Sequence, residues 1–328
     1  MSQDQVKKEA LFNEVKGSLF EYLVAKNLAK KRDEELRFQE GLDANYLSVL
    51  SQQDRMVRQF YPQMLPFLRD VAGATADAIV AYLGEAPSNL RLLGKFSNTS
   101  VRSTYHEADL LFDTGRGEQP LSLKLNKRNA YVNTKSGGIK SFFRQYFPGL
   151  PEEVQASFNQ LVDLEFNRMA LDLHGANGLE FGGDFKSWVR EGFSELPGEL
   201  APASRDILKA YYARIAREMH RILSLAQARD PEAFKTNLAP LMGFGTPRIL
   251  QVICFHDFKA GTSSQVEIHP YEEVASHAPV VSGFHQTASV EVTVGDWSLQ
   301  IRVKPMNKFT TTAIKVNCSV KVRRPSGA

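Results

Sequence analysis

Residues 106–127 read HEADLLFDTGRGEQPLSLKLNK, and this stretch, which predicts a β-hairpin, decides the fold. Two short apolar runs, Ala108–Phe112 and Leu121–Leu125, flank a polar, glycine-containing segment that is typical of a turn. Side chains alternate along a strand, so Ser122, Lys124 and Asn126 share the face opposite to the leucines of the second run. If the turn is centred on residues 116 and 117, Asp109 lies directly across from Lys124, with the two Cβ atoms about 5 Å apart.

This acid and this amine are suited to metal-assisted hydrolysis of a phosphodiester. A carboxylate can bind Mg²⁺, while a neighbouring ammonium contacts the attacking water and the scissile phosphate. An Asp opposite a Lys is equally typical of a structural ion pair across an exposed hairpin. The hairpin alone leaves both interpretations open.

A second carboxylate, that of Glu21, belongs to a long N-terminal helix. Apolar residues recur at steps of three and four over residues 4–32, which predicts one helix. Around Glu21 the sequence GSLFEYLVA, residues 17–25, is apolar on most sides, so we expect this part of the helix to be buried. A buried carboxylate is costly unless it binds a metal ion or pairs with a cation. A salt bridge to a lysine or arginine is therefore the alternative to a metal site.

A helix with a glutamate, a strand with an aspartate, a turn and a strand that ends in x-Lys together resemble the PD-(D/E)XK nuclease superfamily, which includes restriction endonucleases. The resemblance covers residues 10–30 and 90–150, and RILQVICF at residues 248–255 is expected to form a later core strand. It implies a restriction-endonuclease-like central mixed sheet flanked by helices. It also implies that Glu21, Asp109 and the Leu123 carbonyl bind Mg²⁺, for which Mn²⁺ can substitute, and that Lys124 is the catalytic lysine.

One position departs from the pattern of this superfamily, which has Asp or Glu two residues before the lysine. This chain has Ser122 there, and we include Ser122 among the candidate catalytic residues. A replacement acid would have to be Glu21, Glu107 or Glu165, since the helix predicted at 139–147 contains none. The alternative is a non-catalytic DNA-binding or assembly protein on a decayed nuclease scaffold.

Basic and hydroxyl side chains follow the hairpin, and no acidic residue occurs from Lys124 to Arg144. Two glycines before the predicted helix at Ile139 favour a phosphate-binding loop, because free backbone N–H groups and the helix dipole attract an anion. For the segment before Ile139, the alternative to a phosphate-binding loop is a solvated loop. For the basic residues of the C-terminal strands, the alternative to DNA binding is that lysines on exposed edge strands prevent aggregation. The candidate DNA-binding residues are Lys127, Arg128, Asn133, Thr134, Lys135, Ser136, Lys140, Arg144, Lys304 and Lys308.

The succession of elements predicts an α+β or mixed α/β protein. Residues 43–84 have helical periodicity interrupted at Pro62 and Pro66, residues 151–235 are helical again, and strand patterns dominate after residue 248. We expect three segments. Residues 1–150 would hold the N-terminal helices with the nuclease-like hairpin and helix, 151–247 a helical insertion, and 248–328 a core strand and a β-rich region.

The composition is that of a globular protein, with 43% hydrophobic residues among 328. A formal net charge of +3 is too small to indicate a nucleic-acid partner by itself, and two distant cysteines argue against a disulfide framework. A polar start and the lack of a long apolar run predict no signal peptide and no membrane span, so we expect a cytoplasmic protein. The sequence thus favours a Mg²⁺-dependent endonuclease of restriction or phage-defence type that acts on double-stranded DNA. We also expect a homodimer, because a double-strand cut commonly uses two copies of one site. A structural or interaction protein without a nucleic-acid role is the third interpretation.

Overall fold

The computed structural model describes residues 3–93, 105, 107–127, 130–257, 262–285, 288–305 and 308–323. Its residue contacts define two compact units that interleave along the chain. Unit 1 comprises Met1–Ala130 and Gly243–Glu273, and unit 2 comprises Tyr131–Met242 and Val274–Ala328. These units divide the chain differently from the three segments expected from the sequence, since the residues after 130 leave the hairpin's unit.

The helices of unit 1 end where the sequence supplies stop signals. The long helix predicted at the N-terminus is confirmed. The predicted break near Pro62 is also found, between the helix that ends at Phe60 (α3) and the helix that begins at Met64 (α4). Asp43 caps α3 by accepting hydrogen bonds from the backbone N–H groups of Asn45 and Tyr46. Gly84, with φ +79°, ends α4 in the left-handed conformation that glycine adopts without strain. The helices are α1 (Gln3–Lys30), α2 (Glu35–Glu40), α3 (Ala44–Phe60) and α4 (Met64–Leu83).

Unit 1 contains a five-stranded mixed sheet with the order β1-β2-β3-β5-β6. The first three strands form an antiparallel meander, β5 lies parallel to β3, and β6 is antiparallel to β5. The expectation that residues 248–255 supply a later core strand is confirmed by β5. The strands are β1 (Ser88–Leu92), β2 (Leu110–Thr114), β3 (Gly117–Lys127), β5 (Leu250–Asp257) and β6 (Thr262–Pro270).

Helices α1 and α4 cover one face of this sheet. Leu121 and Leu123 of β3 belong to the same buried cluster as Phe20 and Val24 of α1 and Leu68 of α4. Each large apolar side chain buried in such a cluster contributes about 1.5–3 kcal/mol of transfer free energy. Because side chains alternate along β3, residues 122 and 124 point to the other face of the sheet.

Unit 2 combines a helical part with a second sheet, and this sheet is antiparallel throughout, in the order β4-β10-β9-β8-β7. The helices predicted between 151 and 235 and the β-rich C-terminal region therefore form one unit. The helices are α5 (Ile139–Tyr146), α6 (Glu152–Ala176), α7 (Lys186–Arg190), α8 (Pro202–Arg229) and α9 (Pro231–Leu241), with a 3-10 helix at Pro197–Glu199. The strands are β4 (Val132–Gly138), β7 (Pro279–His285), β8 (Ser289–Val294), β9 (Trp297–Pro305) and β10 (Ile314–Val322), and a short α10 (Glu272–Ala275) precedes β7.

The architecture is a mixture of α and β elements with mixed and antiparallel sheets, as the sequence predicted at this level. In the ranges that the structure describes, no helix has the length and apolar character needed to traverse a lipid bilayer.

Candidate functional site

The β2–β3 hairpin differs in register from the predicted one. Thr114 pairs with Gly117 and Leu110 with Leu121, so Asp109 lies beside residues 121–123 and the prediction that it stands directly across from Lys124 is wrong. The reason is local. The Thr114 hydroxyl accepts from the Arg116 amide at 3.1 Å and donates to the Gly117 carbonyl at 3.0 Å, which closes the turn around residues 115 and 116.

The Asp109 carboxylate nevertheless meets the lysine. Its Oδ2 atom accepts the Leu123 backbone N–H at 2.7 Å and the Ser122 hydroxyl at 3.3 Å, and it lies 3.5 Å from the Lys124 Nζ. The side chains of Asp109 and Lys124 are 20% and 26% exposed. Hydrogen bonds to an ionised group are stronger than those between neutral groups, so these three donors fix the orientation of the carboxylate.

The backbone of Leu123 adds a second oxygen on the same side. In an extended strand the N–H and C=O of one residue point toward the same neighbouring strand. Since the Leu123 N–H points to Asp109, its carbonyl also points to the β2 side, beyond the Asp109 N–H that donates to the Leu121 carbonyl at 2.8 Å. Mg²⁺ prefers oxygen ligands and retains several waters, so the Asp109 carboxylate and the Leu123 carbonyl are of the chemical kind suited to two of its protein ligands.

The charge of Glu21 acts on Tyr46 of α3, as does the charge of Asp109. Tyr46 of α3 is only 3% exposed, and its pKa is raised by burial first and then by the charges of Glu21, Tyr22 and Asp109. The two predicted metal-binding carboxylates thus act on one phenol. The core residues of α1, however, pack on the sheet face opposite to Lys124, so the structure brings residues 109 and 122–124 together and the participation of Glu21 stays a prediction.

Tyr46 was not predicted as part of this region, and no motif marks it. The only available signal was its place in the buried stripe of α3, which also contains Leu50, Gln53 and Val57. That spacing predicts a core position and says nothing about nearby carboxylates.

The other two candidate replacement acids have partners of their own. Glu107 accepts the Gly245 backbone N–H through Oε2 at 2.6 Å. Glu165 belongs to unit 2 and forms a largely buried ion pair with Arg214 of α8. Across the described ranges, no group of three or more His, Cys, Asp or Glu side chains is arranged to hold a metal ion.

The predicted phosphate-binding loop before Ile139 is wrong as a structural assignment, because residues 132–138 form β4 and pair with β10. Its polar side chains make hydrogen bonds inside unit 2. Asn133 Oδ1 accepts from the Ser319 hydroxyl at 2.9 Å, the Thr134 hydroxyl donates to the Cys318 carbonyl at 3.1 Å, and the Ser136 hydroxyl donates to Asn317 Oδ1 at 2.8 Å. DNA binding by these residues stays a prediction.

The predicted DNA-binding cations differ in their surroundings. Lys140 pairs with Asp163 at 2.5 Å, and Lys308 pairs with Glu195. Lys127, Arg144 and Lys304 are exposed, and Lys135 is half-buried on β4. Arg128 lies outside the described residues. Of these cations Lys127 belongs to unit 1 with the hairpin, whereas the other described ones belong to unit 2.

Comparisons of the chain with protein-family models, with curated proteins and with solved structures found no match. A proposal about function therefore rests on the geometry of the molecule. Unit 1 offers an acid, an amine and a backbone carbonyl within one hairpin, and unit 2 offers exposed cations.

Proposed function

We propose that this protein is a Mg²⁺-dependent endonuclease that hydrolyses DNA phosphodiester bonds, with its catalytic site beside the first residue of β2. The observation that carries the proposal is the position of Asp109 Oδ2, which accepts the Leu123 N–H at 2.7 Å and lies 3.5 Å from the Lys124 Nζ. The order of elements also supports it. A helix precedes a hairpin with the acid and the lysine, and a later strand, β5, joins the same sheet, as the resemblance to PD-(D/E)XK nucleases implies.

In this proposal each group of the hairpin has a distinct role. Asp109 and the Leu123 carbonyl would hold the metal, and the resemblance to PD-(D/E)XK nucleases adds Glu21 of α1 as a further ligand. Mg²⁺, when bound, would polarise the scissile phosphate and increase the acidity of the attacking water. Lys124 orients that water and stabilises the negative charge that develops on the phosphate. Ser122, which is 2% exposed, holds the Asp109 carboxylate in place through its hydroxyl.

The proposed substrate is double-stranded DNA, as for a restriction or phage-defence enzyme. Exposed cations such as Lys127, Arg144 and Lys304 would contact phosphates, which position the protein on DNA without reading its sequence. Binding would therefore weaken steeply with salt. A homodimer would place two sites on the two strands.

Cleavage of supercoiled plasmid in the presence of Mg²⁺ tests the proposal. We expect Asp109→Asn and Lys124→Gln each to reduce the rate about 100-fold or more, the loss typical of removing one electrostatic element of a catalytic site. Asp113→Asn is the matched control, because Asp113 lies on β2 four residues after Asp109 and accepts a hydrogen bond from the Asn89 side chain at 2.8 Å, outside the proposed site. Equal activity of the wild type, both site variants and the control would overturn the proposal.

A second function, DNA binding without cleavage, is favoured by Ser122. Where the superfamily has a carboxylate, this chain has a hydroxyl that donates to Asp109. Such a protein would bind a fluorescent DNA duplex more weakly at about 200 mM than at about 50 mM salt and would not cut any DNA with Mg²⁺ or Mn²⁺. Absence of binding at low salt would refute both functions and favour a protein without a nucleic-acid role.

A further inference from the structure

His269 lies near the end of β6, on the face of the sheet of unit 1 that also carries Lys124. The register across the strands pairs Ser122 with Gln251 and Gln251 with His269, and residues paired in this way point to the same face. The preceding residue, Ile268, packs against the core cluster on the other face. His269 is 9% exposed, so groups of the protein, rather than water, surround most of its ring.

Both ring nitrogens of His269 face carboxylates. Its Nδ1 atom lies 2.8 Å from Glu273 Oε2, and its Nε2 atom lies 3.4 Å from Glu267 Oε2. An ionised carboxylate only accepts hydrogen bonds, and a neutral imidazole has a single N–H donor, so the neutral ring can satisfy only one of the two. The imidazolium has two N–H donors and satisfies both. The geometry therefore favours the charged ring.

The protein around the ring supports this charged form. Burial alone lowers the pKa of His269, but the hydrogen bonds and charges of Glu267 and Glu273 outweigh burial and raise the pKa above the ordinary value of 6.5. Glu267 is itself fixed in orientation, because its Oε1 atom accepts a hydrogen bond from the Gln265 side-chain amide at 3.1 Å. Hydrogen bonds with ionised groups on both sides are stronger than those between neutral groups.

The other ionisable groups nearby are mostly acidic. Glu272 precedes Glu273 on α10, and both act on Tyr82 of α4, whose pKa is raised by burial first and then by the charges of these two glutamates, while the charge of Arg116 lowers it. Gln251, the neighbour of the ring on β5, contributes an amide and no charge. Among the described groups, carboxylates therefore outnumber cations around the ring, which favours the imidazolium.

The contact between His269 and Glu273 closes a turn of the chain, since β6 ends at Pro270 and α10 follows after one residue. In the described part of the chain, the ladder between β5 and β6 ends with the pair Leu250 and Pro270, so the hydrogen bonds of the sheet do not hold residues 271–273. The ion pair therefore connects these residues to the sheet through a side-chain contact that depends on one proton.

We propose that His269 is a pH-sensitive clamp, whose imidazolium holds Glu273 and the adjoining residues 271–273 on the sheet and whose neutral ring releases them. When the ring gives one proton to water, one ring nitrogen keeps a lone pair, and the carboxylate that faces it loses its donor. Because the folded-state pKa is raised, the contribution of the clamp to stability is complete below the ordinary pKa of 6.5 and is lost as the pH rises through the raised pKa. The clamp goes beyond the nuclease activity proposed above and does not depend on it, since it requires neither metal nor DNA.

Histidine NMR of the isotope-labelled full chain measures the charge of the ring. The chain has seven histidines, and the signal that is absent in His269→Gln identifies this one. We expect a pKa above 6.5 for His269 in the wild type and a lower pKa in Glu273→Gln, which removes the nearer carboxylate. Glu272→Gln is the matched control, because it makes the same change one residue earlier and Glu272 forms no ion pair within the described ranges. A wild-type pKa at or below 6.5, or a pKa that Glu273→Gln lowers no more than the control does, would overturn the proposal.

Digestion by a glutamate-specific protease measures the release. The quantity compared is the ratio of cleavage after Glu273 to cleavage after Glu191, an exposed residue that follows α7, because this ratio cancels the pH dependence of the protease. Between a pH well below the measured pKa and one well above it, we expect the ratio to rise at least about tenfold in the wild type, the effect of losing one hydrogen bond to a charged group. In His269→Gln, which thermal unfolding verifies to be folded, the ratio should be high at both pH values. A wild-type ratio that does not change with pH, or a ratio in His269→Gln that stays as low as that of the clamped wild type, would contradict the clamp.

Discussion

Replacement of Ser122 by Asp is expected to make the stability of unit 1 depend on a divalent cation. Ser122 is 2% exposed, and its hydroxyl lies 3.3 Å from Asp109 Oδ2. An aspartate there would place a second carboxylate beside the first, as in the PD-(D/E)XK pattern. Without a divalent cation, only the Lys124 ammonium, 3.5 Å from Asp109 Oδ2, would offset the repulsion between the two like charges.

The cost follows from the distance. Two unit charges about 4 Å apart repel by about 4 kcal/mol at an effective dielectric constant of about 20, and the partial exposure of Asp109 and the nearby Lys124 ammonium reduce this to about 2 kcal/mol. The repulsion raises the folded-state pKa of one carboxyl above its unfolded value. The destabilisation is therefore complete above that raised pKa and disappears as the pH falls below the unfolded value of about 4.

Urea unfolding of Ser122→Asp and Ser122→Asn measures this cost, because the two variants have nearly the same size and differ in charge. In EDTA at neutral pH we expect the aspartate variant to be less stable by about 2 kcal/mol. Mg²⁺ should reduce the difference, since an ion that binds only the folded state stabilises it. Equal stabilities in EDTA, or a difference that Mg²⁺ leaves unchanged, would refute the assignment of a metal site at Asp109.

Three further changes test other contacts. Glu165→Gln should lower the free energy of unfolding by about 3 kcal/mol, measured in urea, because Arg214 loses the carboxylate of a largely buried pair. Gly245→Ala should lower the free energy of unfolding by about 1 kcal/mol, measured by thermal unfolding, because the new Cβ would lie 2.7 Å from Glu107 Oε1 and Glu107 would have to move. Glu195→Gln should destabilise the protein at neutral pH, because the hydrogen bond from Lys308 lowers the pKa of the Glu195 carboxyl in the folded protein. The difference in stability from the wild type is present above the ordinary pKa of 4.5 and is lost as the pH falls through the lowered pKa.

Matched variants control two of these tests. Glu218→Gln removes an ion pair with Arg221, whose side chain is 60% exposed, and should cost less than about 1 kcal/mol. Gly149→Ala meets no atom within 4 Å and should change stability by less than about 0.5 kcal/mol. If Glu165→Gln or Gly245→Ala costs no more than its control, the corresponding contact is unimportant. For Glu195, a constant difference between pH 7 and pH 3 would contradict the assigned ion pair.

Local patterns in the sequence were sufficient to predict the hairpin and the first helix. Alternating leucines at 121, 123 and 125 identified the buried face of β3, and recurring apolar residues identified α1. The Asp109–Lys124 pair was predicted for the same reason, since both residues belong to one short segment. The register was wrong because it depends on the Thr114 hydroxyl, which closes the turn in a way that apolar spacing does not encode.

Features that depend on distant partners were not predictable in this way. The polar segment VNTKSGG at 132–138 has weak strand propensity and resembles a loop, but β10 provides its hydrogen-bond partners from residues 315–320. Similarly, nothing in the spacing around Lys140 or Lys308 indicates their ion pairs with Asp163 and Glu195. Whether a cation faces an acid from another element is decided by tertiary structure.

The interleaving of the two units has a consequence for biosynthesis. Strand β3 ends at Lys127, and its parallel neighbour β5 begins only at Leu250. At ribosomal rates this gap corresponds to a delay on the order of 10 s. During that time the nascent chain presents an apolar strand edge without its partner, which is a surface for chaperones and for aggregation. We therefore expect slowed elongation between the two strands to lower the yield of folded protein more than slowed elongation before β3 does.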